Sequence, residues 1–221
     1  MIRTRVSWIA KKLSSWALLK SVLAFFVLSI GASIVVPYVS YFPPSFEKGF
    51  LIGKEGYFYS VYALGFYAHI ISAPIVLLIG LIQTSRYVRQ RYTQLHRTLG
   101  TVYSCLVIFL MVPGALTIAT KAYGGWGSAT AFISLSLLTW VFTFIGWKQA
   151  NAGLFFSHAR WMKRSFILVC SAVVLRILAV ESSKWDVVPE VAYPLIAWLS
   201  WVPSLCVFEI ATWLSMKRQD H

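Results

Sequence analysis

Six apolar runs organise the chain, near residues 16–40, 61–83, 96–119, 127–148, 160–181 and 193–216. Crossing a hydrocarbon core of about 30 Å takes roughly 20 helical residues, so each run is long enough to span. Polar and apolar positions do not alternate within them, as the strands of a membrane barrel would require. Since only helices and closed barrels satisfy their backbone groups in lipid, the pattern predicts an all-α polytopic membrane helical bundle. One integral membrane domain of about six transmembrane helices then fills residues 1–221. Short breaks between the runs make consecutive helices antiparallel neighbours. The longest break, "YFPPSFEKGFLIGKEGYFYS", mixes prolines, glycines and aromatics and predicts a cap at the membrane interface. "AYGGWGS" predicts a tight turn, and "TSRYVRQRYTQ" a short basic one with Tyr87 and Tyr92 at headgroup level.

Composition agrees with lipid as the solvent. Hydrophobic residues make up 58% of 221, more than a soluble domain of this size can hide. The net charge of +13 raises the question of nucleic acid, but its placement answers against it. Arg3, Arg5, Lys11, Lys12 and Lys20 precede or open the first run. Arg86, Arg89, Arg91 and Arg97 lie between runs two and three, Lys148, Arg160, Lys163 and Arg164 between four and five, and Lys217 and Arg218 after run six. The alternate loops carry few cations, mixed with carboxylates. By the positive-inside rule both termini are cytoplasmic, and the surplus charge meets anionic lipid headgroups. The basic start "MIRTRVSWIAKK" before an over-long apolar run reads as an uncleaved signal anchor. Cys105, Cys170 and Cys206 fall inside spans, where they are expected to be small core residues with no disulfide framework.

Ionisable groups inside spans are costly and point into the bundle. At 100° per residue, His158, Met162, Ser165, Val169, Ala172 and Arg176 share one stripe, with Arg160, Lys163 and Arg164 on the other side. His96, Gly100, Tyr103, Val107 and Gly114 share a second stripe, with Arg97 rotated away. His69, Ala73, Val76, Gly80 and Gln83 form a third. The small residues among them either let helices approach closely or leave a slot for a flat ligand. His96, His158 and Glu209 are expected at the cytoplasmic level, and His69, Arg176 and Glu181 toward the outer face.

Two readings of the inner pair stand side by side. In one, His96 and His158 are the axial iron ligands of a b-type haem, Gly100 leaves space for the macrocycle, and Arg97, Arg160 or Arg164 pairs with propionates. In the other, both are helix-start histidines bonded to Glu209 or to backbone carbonyls. His69 has no partner histidine on run four, so a bond to Ser72, Tyr62 or a quinone headgroup suits it. Arg176 is expected to pair with Glu181 or a carbonyl, and Glu209 to neutralise an inner arginine. No CxxC, HExxH, P-loop or dinucleotide fingerprint occurs. No aspartate lies within a span to build a Ser-His-Asp arrangement.

The ordered set "FYAHIISAPIVLLIGLIQ", "RQRYTQLHRTLGTVY" and "SHARWMKRSF" with "VVLRIL" behind it resembles a family of predicted bacterial membrane proteins, domain of unknown function 2306. The resemblance covers roughly residues 60 to 215. Its HRxxGxxY pattern falls on His96, Arg97, Gly100 and Tyr103, and its HxxWMxRS pattern on His158, Trp161, Met162, Arg164 and Ser165. The chain is also loosely similar to the transmembrane di-haem cytochromes b that pass electrons from ascorbate. That similarity implies histidines on each of four core helices; His69, His96 and His158 match three, and the fourth is missing. At most one haem carries over, on the inner side. The sequence thus leads to a haem-binding electron-transfer protein exchanging with quinone. The alternatives are a cofactor-free accessory or assembly subunit of a membrane complex, or a small-solute transporter. A membrane-complex partner or a homo-oligomer is the expected company, and nucleic acid is not.

Overall fold

The structure is a computed structural model and describes residues 22, 25–184 and 186–217. Among these, five helices are long and apolar enough to cross a membrane: α3 (Val61–Gln83), α5 (Thr93–Ala119), α6 (Gly125–Asn151), α7 (Phe155–Ser182) and α8 (Pro189–Lys217). A shorter apolar helix, α1 (Phe25–Ser40), precedes them. Two small helices complete the set, α2 (Glu55–Phe58) in the cap and α4 (Arg86–Arg91) in the basic turn. Run two coincides with α3. The other long helices begin two to five residues before their apolar runs, because the first turn is set by backbone bonding and tolerates polar residues at the interface. The first part of the run at 16–40 and the signal anchor lie outside the described residues.

The helix ends follow local chemistry. Ser60 and Ser85 cap α3 and α4, their hydroxyls accepting from the Tyr62 and Val88 amides at 3.3 Å each. Helix α6 stops in a Schellman turn, where Gly153 takes φ +72°. The Leu154 amide donates to the Gln149 carbonyl at 2.9 Å and the Gly153 amide to Ala150 at 3.1 Å. Within α5 a π-helical segment, Val107–Met111, runs up to Pro113, which has no N–H to offer the preceding turn.

Helices α3, α5, α6 and α7 form the core, each packed on the next in order, with α7 closing back on α3. Helix α8 lies across α6 and α7, while Gly31 of α1 sits on Leu77 of α3. The central apolar cluster joins Val76, Tyr103, Val107, Met111, Val169 and Val173. One end of the bundle carries the basic turns and is called the basic end here. The other end is closed by an aromatic cap in which Tyr41, Leu51 and Phe58 bury against Tyr62 and Phe66 of α3. Tyr67 donates to the Tyr41 carbonyl at 2.7 Å, tying the cap to the helix below. At this end Tyr123 donates to Glu190 at 2.6 Å, which raises the phenol's pKa above its ordinary value.

Two expectations are corrected by this packing. Cys105 and Cys206 are exposed on the bundle surface, and only Cys170 reaches the core. The stripe on α7 runs inward only as far as Val169. At Cys170 the helix breaks, with the Val173 amide bonding Cys170 at 3.0 Å in an i→i+3 turn. That tighter winding rotates the next segment, so Val173 faces the core while Ala172 and Arg176 are exposed.

The small residues on α3, α5 and α6 are points of close helix approach. A Cβ on Gly80 would run into the Phe166 ring, and one on Gly146 would lie 2.6 Å from the Met162 sulfur. Gly114 is tighter still, since a Cβ there would strike the Gly65 carbonyl and sit 2.8 Å from the His69 amide. Backbone cannot give way as a side chain can. Gly114→Ala is therefore expected to destabilise the bundle by about 1–3 kcal/mol, the usual cost of overpacking, read as a lower thermal midpoint in detergent. Gly56→Ala, with open space around its Cβ, is the control and should cost much less.

Candidate functional site

The core carries its polar groups in two levels. At the basic end, Gln83 on α3, His96 on α5, Gln149 on α6 and His158 on α7 give one polar side chain per core helix. Gln83 donates from Nε2 to the His96 carbonyl at 2.8 Å, which bridges the basic turn from α3 to α5. His158 places Nδ1 2.8 Å from the Gly146 carbonyl. A carbonyl can only accept, so Nδ1 donates to it and Nε2 is left outside that bond. His96 lies within Coulombic reach of both His158 and Arg89. Four buried atoms at this end have no hydrogen-bond partner among the described residues, His96 Nδ1, Gln83 Oε1, Gln149 Oε1 and Arg160 Nε, while Tyr62 Oη, Ser128 Oγ and Trp201 Nε1 are unpaired elsewhere in the bundle. A buried polar atom left unpaired costs about 1–3 kcal/mol, so the group at the basic end is a place where a ligand or water would gain.

Two turns deeper, the motif residues Tyr103 and Ser165 meet. Tyr103 Oη is 2.9 Å from Ser165 Oγ, and Ser165 Oγ is 2.7 Å from Thr143 Oγ1. Thr143 donates to the Thr139 carbonyl at 2.7 Å. That last bond sets the direction of the others. With its proton spent on Thr139, Thr143 accepts from Ser165, and Ser165 in turn accepts from Tyr103. All three side chains are buried, so the chain of hydroxyls crosses from α5 through α7 to α6 without contact with lipid. Tyr103 and Ser165 are read as motif positions from the sequence; Thr143 is not. Its only trace is the Thr139/Thr143 spacing of one turn inside an apolar run.

The remaining candidates separate from this core. His69 has Nδ1 2.9 Å from the Met111 carbonyl at the end of the π segment, in place of Ser72 or Tyr62. Gly100 opens no space, because the Gln83 amide nitrogen would be 2.9 Å from its Cβ. Arg97 is exposed. Arg164 faces α8 and holds Glu209 through two hydrogen bonds, Nε to Oε1 at 2.5 Å and Nη2 to Oε2 at 2.7 Å. Its guanidinium also stacks over Trp161 at 4.6 Å. Glu209 thus neutralises an inner arginine, and Arg164 is not among the groups turned to the histidines. Arg160 lies on the same flank, over the Phe156 ring and within Coulombic range of Glu209. Glu181 bonds Lys184 at 2.8 and 2.9 Å, so Arg176 does not have the partner expected for it.

Long apolar helices packed through glycines, with a chain of hydroxyls bonded across the core, define a polytopic helical membrane protein. The chain belongs to the DUF2306 family, described as a predicted membrane protein, whose model matches residues 66–212. That span takes in α3 from Phe66 onward, all of α5, α6 and α7, and most of α8. No curated protein and no solved structure matches the chain.

The direction of the hydroxyl chain makes its members unequal. Ser165→Ala strands the buried Tyr103 hydroxyl without an acceptor, and is expected to cost about 1–3 kcal/mol. Tyr103→Phe removes the donor and leaves Ser165 still bonded to Thr143, so about 0.5–1.5 kcal/mol is expected. Unfolding midpoints of the two variants in mixed micelles check the order.

Proposed function

We propose that the protein is a bacterial inner-membrane electron-transfer protein that holds one b-type haem at the basic, cytoplasmic end of its core, between His96 and His158. The observation that carries this reading is the pair of imidazoles at one level of the four-helix core, each with a nitrogen available. His158 has the form typical of a metal-bound histidine, in which one ring nitrogen donates to a backbone carbonyl and leaves the other for the metal. His96 brings a buried ring nitrogen that the protein leaves unpaired. His96 and His158 are thus the residues that would hold the haem iron.

A haem held there would supply one-electron transfer, with membrane quinone as the exchange partner. The protein's own contribution is positional. The Gly146 carbonyl orients the His158 ring, and the Gln83 amide, the end of a flexible side chain, would have to leave the His96 carbonyl for a macrocycle to lie over Gly100. Arg164 is held by Glu209, so Arg97, which is exposed, or Arg160 would pair with a propionate. His69 serves packing, since its backbone and Cβ press against Gly114 and its Nδ1–H is spent on Met111.

The test is an absorption spectrum of protein purified in detergent after expression with ample haem. A Soret band is expected in the wild type and in His69→Ala, and its loss in both His96→Ala and His158→Ala. Folded wild-type protein with no Soret band would overturn the proposal in favour of a cofactor-free subunit, whose mark is a partner that co-purifies in fixed ratio.

A further inference from the structure

Helix α7 carries a second basic feature, toward the cap end and remote from the histidines. Arg176 is exposed on the side of the span and forms no hydrogen bond or ion pair among the described residues. The carboxylate nearest along its own helix, Glu181, is bonded to Lys184. An arginine within a span is costly unless it reaches water, a headgroup or an anion. Arg176 is six residues short of Ser182, the end of α7, or about 9 Å below it at 1.5 Å per residue. Helical Cα–Cβ bonds lean toward the N-terminus, which for α7 is the basic end, so this side chain starts out directed deeper into the bilayer. Snorkelling to the cap-end surface works against that lean.

What lies beside Arg176 suggests how its charge is met. The hydroxyls of Tyr38 on α1 and Tyr193 on α8 are both within Coulombic reach of it. Tyr193 also lines a cavity of about 160 Å³ between α7 and α8, together with Ala179, Ser182, Ser183, Pro189 and Ile196. The two serines do not make this cavity polar, because their hydroxyls donate to the Ala179 and Val180 carbonyls of their own helix. Its size is close to that of an apolar cavity of about 150 Å³ that takes up benzene, enough for a short stretch of hydrocarbon. A cation and a dry slot thus lie side by side, matching the two ends of one amphiphile.

We infer that Arg176 and the α7–α8 cavity form a binding site for a phospholipid of the cap-end leaflet. The phosphate pairs with the Arg176 guanidinium, flanked by the Tyr38 and Tyr193 hydroxyls, and an acyl chain enters the cavity along Ala179 and Ile196. The site is independent of any cofactor at the basic end.

Native mass spectrometry of the full chain, delipidated and then titrated with phosphatidylglycerol, tests this. One lipid is expected to remain bound to the wild type, with affinity about tenfold lower in Arg176→Gln and largely kept in Arg176→Lys. Ile196→Trp, which fills the cavity and leaves the arginine, should lose the lipid as well. Should Arg176→Gln fail to fold, the wild type still decides. Phosphatidylglycerol should raise its thermal midpoint, and diacylglycerol, with no phosphate, should not. Equal lipid retention in Arg176→Gln, or an equal shift with diacylglycerol, would overturn the inference. So would inorganic phosphate alone reproducing the shift, since that describes an anion site with no role for the chain.

Discussion

The hydroxyl chain from Tyr103 through Ser165 to Thr143 meets the demand that the rest of the bundle depends on. Lipid is as apolar as leucine, so apolar burial does not by itself draw membrane helices together. What holds them is close packing and polar groups that find partners only across the interface. Here one serine on α7 accepts from α5 and donates to α6, so three helices are registered by a single side chain. Because Thr143 spends its own proton on Thr139, the donor order has one solution, and each member is satisfied only when the three helices are in place.

Glycine packing makes that registration possible. Gly65, Gly80, Gly114 and Gly146 each leave a gap that a neighbouring helix fills with Thr117, Phe166, backbone or Met162. The irregular parts of the helices are repaired in the same way. Pro113 interrupts α5 behind a π segment, and the Met111 carbonyl at that point accepts from His69 on α3. A local defect in one helix has become a bond to the next.

The two ends of the bundle divide the polar work. At the cap end, aromatic rings stack over α3 and leave little for a ligand there beyond the groove between α7 and α8. At the basic end, side chains from four helices converge, several of them with atoms that the protein does not satisfy itself. Arg164 and Glu209 belong to neither site. Their paired hydrogen bonds fasten α8 to α7, and the Trp161 and Phe208 rings cover the Arg164 guanidinium while the Glu209 side chain stays partly exposed.

The class of fold was written in the apolar runs, because a bilayer imposes a length that composition alone reveals. Run two matches α3 to the residue, and the inward faces of α3 and α5 follow from regular helical winding. Winding is also where reading the chain stopped short. The stripe on α7 assumes 100° per residue throughout, yet the break at Cys170 turns Arg176 out of the core, and nothing in "VCSAVV" announces it. Partner choice was equally hidden: Glu209 takes Arg164, Gln83 covers Gly100, and Thr143 joins Ser165. Those pairings depend on distances between helices far apart in sequence, which no pattern within one helix encodes. Sequence by itself determined that this chain is a membrane bundle with histidines turned inward; tertiary structure alone decided which groups they meet, because contact across a core is set by packing.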